Sequence, residues 1–296
     1  VRVPIISSRL VDGDRELVLQ PDAEALVVSP LIHVQSIDLG FPSIRAATAN
    51  TPGADGTDDR TKYLGARGVS ITANLWGDAV TRPFQLLDQV RRFCWPNARP
   101  ELRYVVDGED GERRVVLRAD TQSAPVTIDK RTSIAFQASW VCPSGLQESA
   151  DEQLVTAYPF TDAPGVAVPF DVPFDLPASS GGSLAVADNH GNYEAWPVIR
   201  IYGPAVSVRV RNLTTGAQLY LPFATIGAGD YLELDSNPGR RTALLNSDTS
   251  ANRFDLIDWT TSTWFRLADG PNEIEFSAIT WSAPAQAVIT YRHTWL

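Results

Sequence analysis

The chain is short of sulfur, lysine and histidine. It holds two cysteines, Cys94 and Cys142, and no methionine in 296 residues. Two thiols cannot make a disulfide framework in a chain of this length. The expectation is a pair of buried free cysteines acting as small apolar side chains, with a single disulfide as the alternative. Lysine occurs only at Lys62 and Lys130, so arginine carries nearly all the positive charge. The three histidines, His33, His190 and His293, form no HxxxH or HExxH pair, which removes the usual zinc-hydrolase arrangement. No GxSxG nucleophile elbow is present. No apolar run approaches the roughly 20 residues of a membrane helix. The stretch from Val1 lacks the basic, apolar, small-residue order of a secretory signal. The net charge is −10 and the pI about 4.8. Phosphate backbones are gripped by clustered Lys and Arg, so an acidic chain is a poor nucleic-acid binder, although DNA can pass such a surface without being held.

What the chain does have is alternation. "GVSITANLWG" (68–77) places Val69, Ile71, Ala73 and Leu75 on one face, the period of a strand. "LRYVVDGEDGERRVVLRAD" (102–120) reads as a hairpin turning at Asp107–Gly111, where glycine supplies positive φ. "RTSIAFQASWVC" (131–142) is a further strand, with Ile134, Phe136, Ala138 and Trp140 in phase. One helix interrupts them, expected over 81–95, with Thr81 as N-cap, Pro83 in the first turn and Pro96 as stop. Phe84, Leu87, Val90 or Arg91, and Cys94 form its expected inward face. A strand-rich domain with one helix packed on a sheet is therefore expected over 1–145.

Residues 146–182 read as an extended linker, because Val-Pro-Phe-Asp repeats at Val168–Asp171 and Val172–Asp175 and proline at this density denies a helix or a central strand. From 183 to 296 alternating runs return without a helical pattern, with turns at Thr214-Thr215-Gly216 and Asn237-Pro238-Gly239. That spacing implies a β-sandwich, so the fold class is mainly β: an α+β first domain followed by a sandwich.

The loop "NTPGADGTDDR" (50–60) concentrates glycine and acid before the strand at 68. Counting twelve from Asp55 reaches Ala66, not the glutamate a calcium loop requires, and Lys62 is followed by Tyr63, so no phosphate loop forms. Neither a metal nor a cofactor is expected. The loop reads instead as a pliable arm, with Thr51, Gly53, Asp55, Gly56, Asp58, Asp59 and Arg60 as its assembly residues. Acidic pairs such as Glu148 with Asp151, or Asp255 with Asp258, have the composition of a glycosidase acid and base. In an acidic chain they read first as solvated surface charge, and no catalytic residue is assigned. Asn212-Leu213-Thr214 fits the glycosylation triplet. Among the aromatics of the second domain, Trp196, Trp259, Trp264 and Trp281 are the candidates for contact with a glycan, against the simpler role of filling the sandwich core.

The order of motifs resembles the siphovirus distal tail protein family. It runs Gly191-Asn192, the Pro197–Gly203 strand, Asn212–Gly216, Gly229-Asp230 with Asp235, then Leu267, Gly270, Asn272, Ile274 and Phe276. The first domain is similar through "GADGTDDRTKYLGARGVSITANLWG", the helix and the Asp-Gly hairpin. The family's Ala-Pro-Asp-Pro after the last strand of the first domain is replaced by Trp140-Val141-Cys142-Pro143. The resemblance implies a virion protein at the distal end of a phage tail. It implies a homo-hexameric ring built by the first domain, set between the tail tube protein and the tail-associated hub protein, with a galectin-like second domain at the periphery. With no catalytic constellation and no membrane run, neither an enzyme nor a membrane partner is expected, and the acidic charge leads to the expectation that DNA passes through a ring unbound. A carbohydrate-binding module contacting host cell-wall glycan, resting on the aromatic-rich sandwich, is the alternative, with a glycoside hydrolase a distant third. A closed ring requires heterologous contacts that return on themselves, which arms reaching a neighbour would supply.

Overall fold

The computed structural model describes residues 5–20, 32–46, 49–50, 55, 57–58, 61–77, 82–109, 111–120, 126–130, 133–161 and 184–296. The chain divides into two compact units, the first ending at Asp151 and the second beginning at Glu152.

In the first unit the alternating runs make two sheets. Arg15–Gln20, Ile5–Asp12, Glu101–Val106, Glu112–Val116 and Gln147–Ser149 lie side by side in that order. The second sheet runs Arg118–Ala119, Ser133–Cys142, Arg67–Trp76, Ile32–Asp38, with Val126–Lys130 also pairing to Ser133–Cys142. The expected hairpin at 102–120 forms with Val105 opposite Glu112, and its far end crosses into the second sheet, where Arg118 pairs with Val141. Arg67–Trp76 and Ser133–Cys142 pair antiparallel along ten residues, from Arg67–Cys142 to Trp76–Ser133. The expected inward sets, Val69, Ile71, Ala73, Leu75 and Ile134, Phe136, Ala138, Trp140, are all buried in one core with Leu10, Leu102 and Val115 from the first sheet.

The helix is Pro83–Phe93 and its phase differs from the expected one. Its buried residues are Pro83, Leu86, Leu87, Val90 and Phe93, while Phe84 is half-exposed and Cys94 is the C-cap. Leu86 and Phe93 outweigh Phe84 because a stripe through 83, 86, 87, 90 and 93 buries one more large side chain against the sheet. The N-cap is Arg82, whose backbone N–H donates to Gln85 Oε1 at 3.0 Å; Thr81 lies outside the described residues. Trp140 Nε1 donates to Phe93 O at 3.1 Å and fixes the helix end to the sheet.

The second unit is a sandwich. One sheet runs Gln153–Ala157, Gln286–Tyr291, Val198–Tyr202, Tyr231–Asp235, Thr242–Leu245. The other runs Pro159–Thr161, Gly270–Trp281, Ala205–Asn212, Gln218–Ile226, with Ala185–Asn189 also on Gly270–Trp281. Their inner faces share a core that includes Ile199, Ile201, Val208, Val210, Leu234, Phe265, Phe276 and Ile289. Residues 146–182 are thus not one extended linker: Gln147–Ser149 belongs to the first unit, and Gln153–Ala157 and Pro159–Thr161 open the second. The proline density that suggested a linker begins only at Pro164. The Val-Pro-Phe-Asp repeat lies outside the described residues.

Each sheet of the sandwich leaves an edge on the same side, Gln218–Ile226 in one and Thr242–Leu245 in the other. The loop 246–264 covers both. Asp258 N–H donates to Tyr220 O and Thr263 N–H to Gln218 O, each at 2.9 Å, while Arg253 N–H donates to Ala243 O at 2.7 Å. Unpaired strand edges invite foreign strands, and this loop satisfies them internally.

Candidate assembly surfaces

The acidic loop that reads as an arm is framed by a hairpin. Ile44–Ala46 pairs antiparallel with Lys62–Leu64, and further out Ala49 pairs with Asp58 and Asn50 with Thr57. Among the described residues these strands pair with each other and with no strand of either sheet. Asp55 is exposed at the tip; Thr51, Gly53, Gly56, Asp59 and Arg60 lie outside the described residues. Apolar side chains that a solitary hairpin cannot bury stand in solvent: Phe41 is 86% exposed, Ile44 69% and Tyr63 64%.

The base of this hairpin is tightly fixed. Ser43 N–H donates to Ala66 O at 3.1 Å and Gly65 N–H to Ser43 O at 2.6 Å. Arg67 is buried; its Nε donates to Gly145 O at 2.9 Å and its Nη1 to Leu39 O at 3.3 Å. Burial pushes its pKa below the usual arginine value, offset in part by Tyr104 and Cys142. Gly145 has φ +71°, and a Cβ there would stand 2.5 Å from Gly65 O. The loop after Ser133–Cys142, the hairpin base and the strand Arg67–Trp76 therefore meet at one point that admits no side chain at residue 145.

The outer face of the first sheet carries a second feature. Register sets Arg9 beside Arg103 and Arg103 beside Arg114. Like charges directly opposite are unfavourable, and glutamates placed diagonally resolve this. Glu112 accepts from Arg9 Nε and Nη2 at 2.9 and 2.8 Å and lies 3.9 Å from Arg103 Nη1. Glu101 accepts from Arg103 Nη2 at 2.9 Å and from Arg114 Nη1 at 3.0 Å. Glu16 closes one end on Arg9 at 3.1 Å and Glu148 the other on Arg114 at 2.7 Å. Seven residues thus alternate in sign across five strands, and every guanidinium in the row has a carboxylate. Glu148, considered in sequence as half of an acid–base pair, is a rung of this ladder.

Of the other carboxylate pair, Asp258 is equally committed. Asp258 accepts from Thr260 N–H and Oγ1 at 3.0 and 2.6 Å and from Thr261 Oγ1 at 2.9 Å, which holds its pKa below the usual carboxylate value, the reverse of what a general acid needs. Both cysteines are free, and burial pushes the Cys94 thiol up to about 11.

In the second unit the motif residues turn out to be staples. Asn189, Asn212 and Asn272 are fully buried. Asn212 Nδ2 donates to Asn272 Oδ1 at 3.1 Å and to Arg266 O at 3.2 Å, while its Oδ1 accepts Thr214 and Thr215 N–H. Asn272 Nδ2 donates to Ala268 O and Gly270 O, both at 2.9 Å. Asn189 Oδ1 accepts Gly191 and Thr294 N–H. At Gly191 a Cβ would lie 1.8 Å from Thr294 O, so only glycine permits that approach. Buried in this way, Asn212 presents no acceptor for glycosylation.

The four candidate aromatics separate. Trp259 and Trp264 come together with ring centroids 5.8 Å apart, whereas Trp281 packs against the core and Trp196 is partly buried elsewhere. Sequence inspection missed Phe254, which completes the cluster at 5.0 Å from Trp259 and 6.0 Å from Trp264. It also missed the stacking of His190 on His293, with centroids 4.6 Å apart and planes at 5°; 103 residues separate them in sequence and no local signal joins them.

Residues 190–295 match the family described as siphovirus-type tail component, C-terminal domain. Among solved structures, the Dit protein of phage SPP1, described as a paradigm of the hub adsorption apparatus in phages infecting Gram-positive hosts, superposes with a TM-score of 0.62 at 12% identity, over 98% of this chain and 99% of that one. A chain of the phage p2 baseplate, in its activated conformation with strontium, aligns over 96% of this chain and 97% of its own at 14% identity and a TM-score of 0.48. No curated protein sequence matches this chain. The matched residues 190–295 carry the motifs of the second domain, and the mainly β fold of the chain is similar to that of the SPP1 protein.

Proposed function

We propose that this chain, whose residues 190–295 match the siphovirus-type tail component C-terminal domain, is a structural protein of the phage tail tip. Its first unit assembles into a homo-hexameric ring between the tail tube protein and the tail-associated hub protein. It works by shape and contact, without catalysis. The observation that carries this reading is the solitary hairpin 44–64. A two-stranded ribbon is at best marginally stable alone, yet this one has a rigid base at Ser43, Gly65, Arg67 and Gly145 and carries Phe41, Ile44 and Tyr63 in solvent. Apolar surface of this kind on a monomer marks a contact to be made. A neighbour in a cyclic ring receives the ribbon head-to-tail, and each copy both gives and takes.

The ion-paired face of the first sheet supports the expectation that DNA passes without being held, because its guanidiniums are already matched by carboxylates. The test is the mass of the full chain, alone and with tube and hub proteins, by analytical ultracentrifugation. A hexamer is expected in the presence of the partners, and deleting Ala54–Asp59 is expected to abolish it. A chain that stays monomeric with both partners, or a deletion that assembles like the parent, refutes the reading.

A further inference from the structure

The loop that seals the sandwich edges holds an aromatic cluster in an unusual way. Trp259 is 43% exposed and Phe254 36%, with Trp264 behind them against the core. Solvent-facing aromatics in long loops are ordinarily left to move. This one is fixed at each neighbour: the Asp258 carboxylate binds the backbone and hydroxyl of Thr260 and the hydroxyl of Thr261, and Asp258 O accepts Ser262 N–H at 2.9 Å. Asp258 N–H is in turn paired to Tyr220 O in the sheet. Phe254 N–H is fixed by Asn252 Oδ1 at 2.8 Å. Two rings thus stand in solvent on a scaffold that leaves them little freedom, so a ligand stacking on them forfeits little side-chain entropy.

The polar groups around the rings define the ligand's charge. Arg241 lies over Trp264, 5.9 Å from the ring centroid, and Arg253 donates to Asn252 O at 3.2 Å. Asp248, Asp255 and Asp258 in this loop outnumber Arg253 there and the neighbouring Arg241. The local charge is therefore net negative, which disfavours an anionic ligand and leaves a neutral one unopposed. Neither indole N–H of Trp259 and Trp264 has a protein acceptor among the described residues, so both are free to donate to hydroxyls.

We infer that Phe254, Trp259 and Trp264 form a binding site for a neutral pyranose chain, whose apolar C–H face stacks on the exposed rings while its hydroxyls meet the indole N–H groups and Asp255. This assigns the second domain a glycan-contact role that is independent of ring formation. Trp196 and Trp281 take no part in it.

The test is isothermal titration calorimetry of the full chain with soluble neutral oligomers of glucose, N-acetylglucosamine, galactose and rhamnose, and with poly(glycerol phosphate) as an anionic comparison. At least one neutral oligomer is expected to give saturable heat with a dissociation constant on the order of 0.1–1 mM, and the phosphate polymer none. Trp259→Ala is expected to weaken it at least tenfold, Trp259→Tyr to restore most of it, and Trp95→Ala in the first unit to leave it unchanged; circular dichroism of each variant checks the fold. Absence of saturable heat from every neutral oligomer, equal binding by Trp259→Ala, or preferential binding of the phosphate polymer overturns the inference. None of these outcomes bears on hexamer formation, which is measured separately.

Discussion

Replacing Gly145 by alanine tests whether the hairpin base is as tight as its geometry states. Two penalties act there. An L-residue at φ +71° costs ~1–2 kcal/mol in the left-handed region. The new Cβ would also sit 2.5 Å from Gly65 O and 3.0 Å from Pro42 Cβ. Since Gly65 O is backbone, it cannot rotate away, and the two segments must part. Overpacking of this type costs ~1–3 kcal/mol, and parting them stretches the 2.9 Å bond from Arg67 Nε to Gly145 O. The sum is ~2–5 kcal/mol, which for a unit of this size lowers Tm by ~5–15 °C. Gly108 provides the control: its φ is +81° but nothing lies within 4 Å, so Gly108→Ala carries the strain alone, ~1–2 kcal/mol. Differential scanning calorimetry of the two variants isolates the contact, and the rate of tryptic cleavage at Lys62, within the hairpin, reports whether the base has opened. Equal destabilisation by the two alanines, with unchanged cleavage at Lys62, would show that the close approach at the hairpin base does not exist in solution.

Two further outcomes follow from the charge arrangement. Glu112→Ala leaves Arg9 and Arg103 side by side without the carboxylate between them, and is expected to cost ~1–2 kcal/mol at low salt. A double-mutant cycle with Arg9→Ala in urea should recover a coupling that shrinks in 1 M salt; zero coupling at low salt refutes the ladder. His293 Nδ1 accepts His190 N–H at 3.1 Å. Burial, and then His190, push the His293 pKa below its usual 6.5, with Asp188 opposing. The unfolded chain therefore takes up the proton first. The stability held by the neutral ring is full above pH 6.5 and is lost as pH falls below that value. Tm measured between pH 7.5 and 5 should fall more steeply in the parent than in His293→Gln, and identical slopes would contradict the assignment.

The features visible in sequence are those with a local period. Strands Arg67–Trp76 and Ser133–Cys142 announce themselves because one face is buried and the other is not, which writes a two-residue alternation into the chain. The helix was visible but its phase was not, because Phe84 and Leu87 satisfy a helical spacing as well as Leu86 and Phe93 do, and only the packed sheet selects between them. The glycine and acid content of 50–60 suggests an arm, whereas the pairing that frames it as the hairpin 44–64 is hidden in strands of two and three residues. The Arg–Glu ladder depends on register across five strands, which no single segment encodes. The motif asparagines were recognisable as a pattern long before their purpose was: Asn212 and Asn272 lie 60 residues apart and bond to one another only once the sandwich has closed. The aromatic cluster was half read, since tryptophan drew notice and the phenylalanine five residues before Trp259 did not.

The alternating row from Glu16 to Glu148 has a consequence beyond holding strands together. A surface of unmatched arginines recruits small anions from solution, and any polyanion that displaces them gains the entropy of their release. Here each guanidinium keeps a covalently tethered anion that cannot diffuse away. The face has no mobile ions to surrender, so a surface or a strand that comes against it gains no release entropy, and encounter with it should vary little with ionic strength. It is a coating that has been salted in advance.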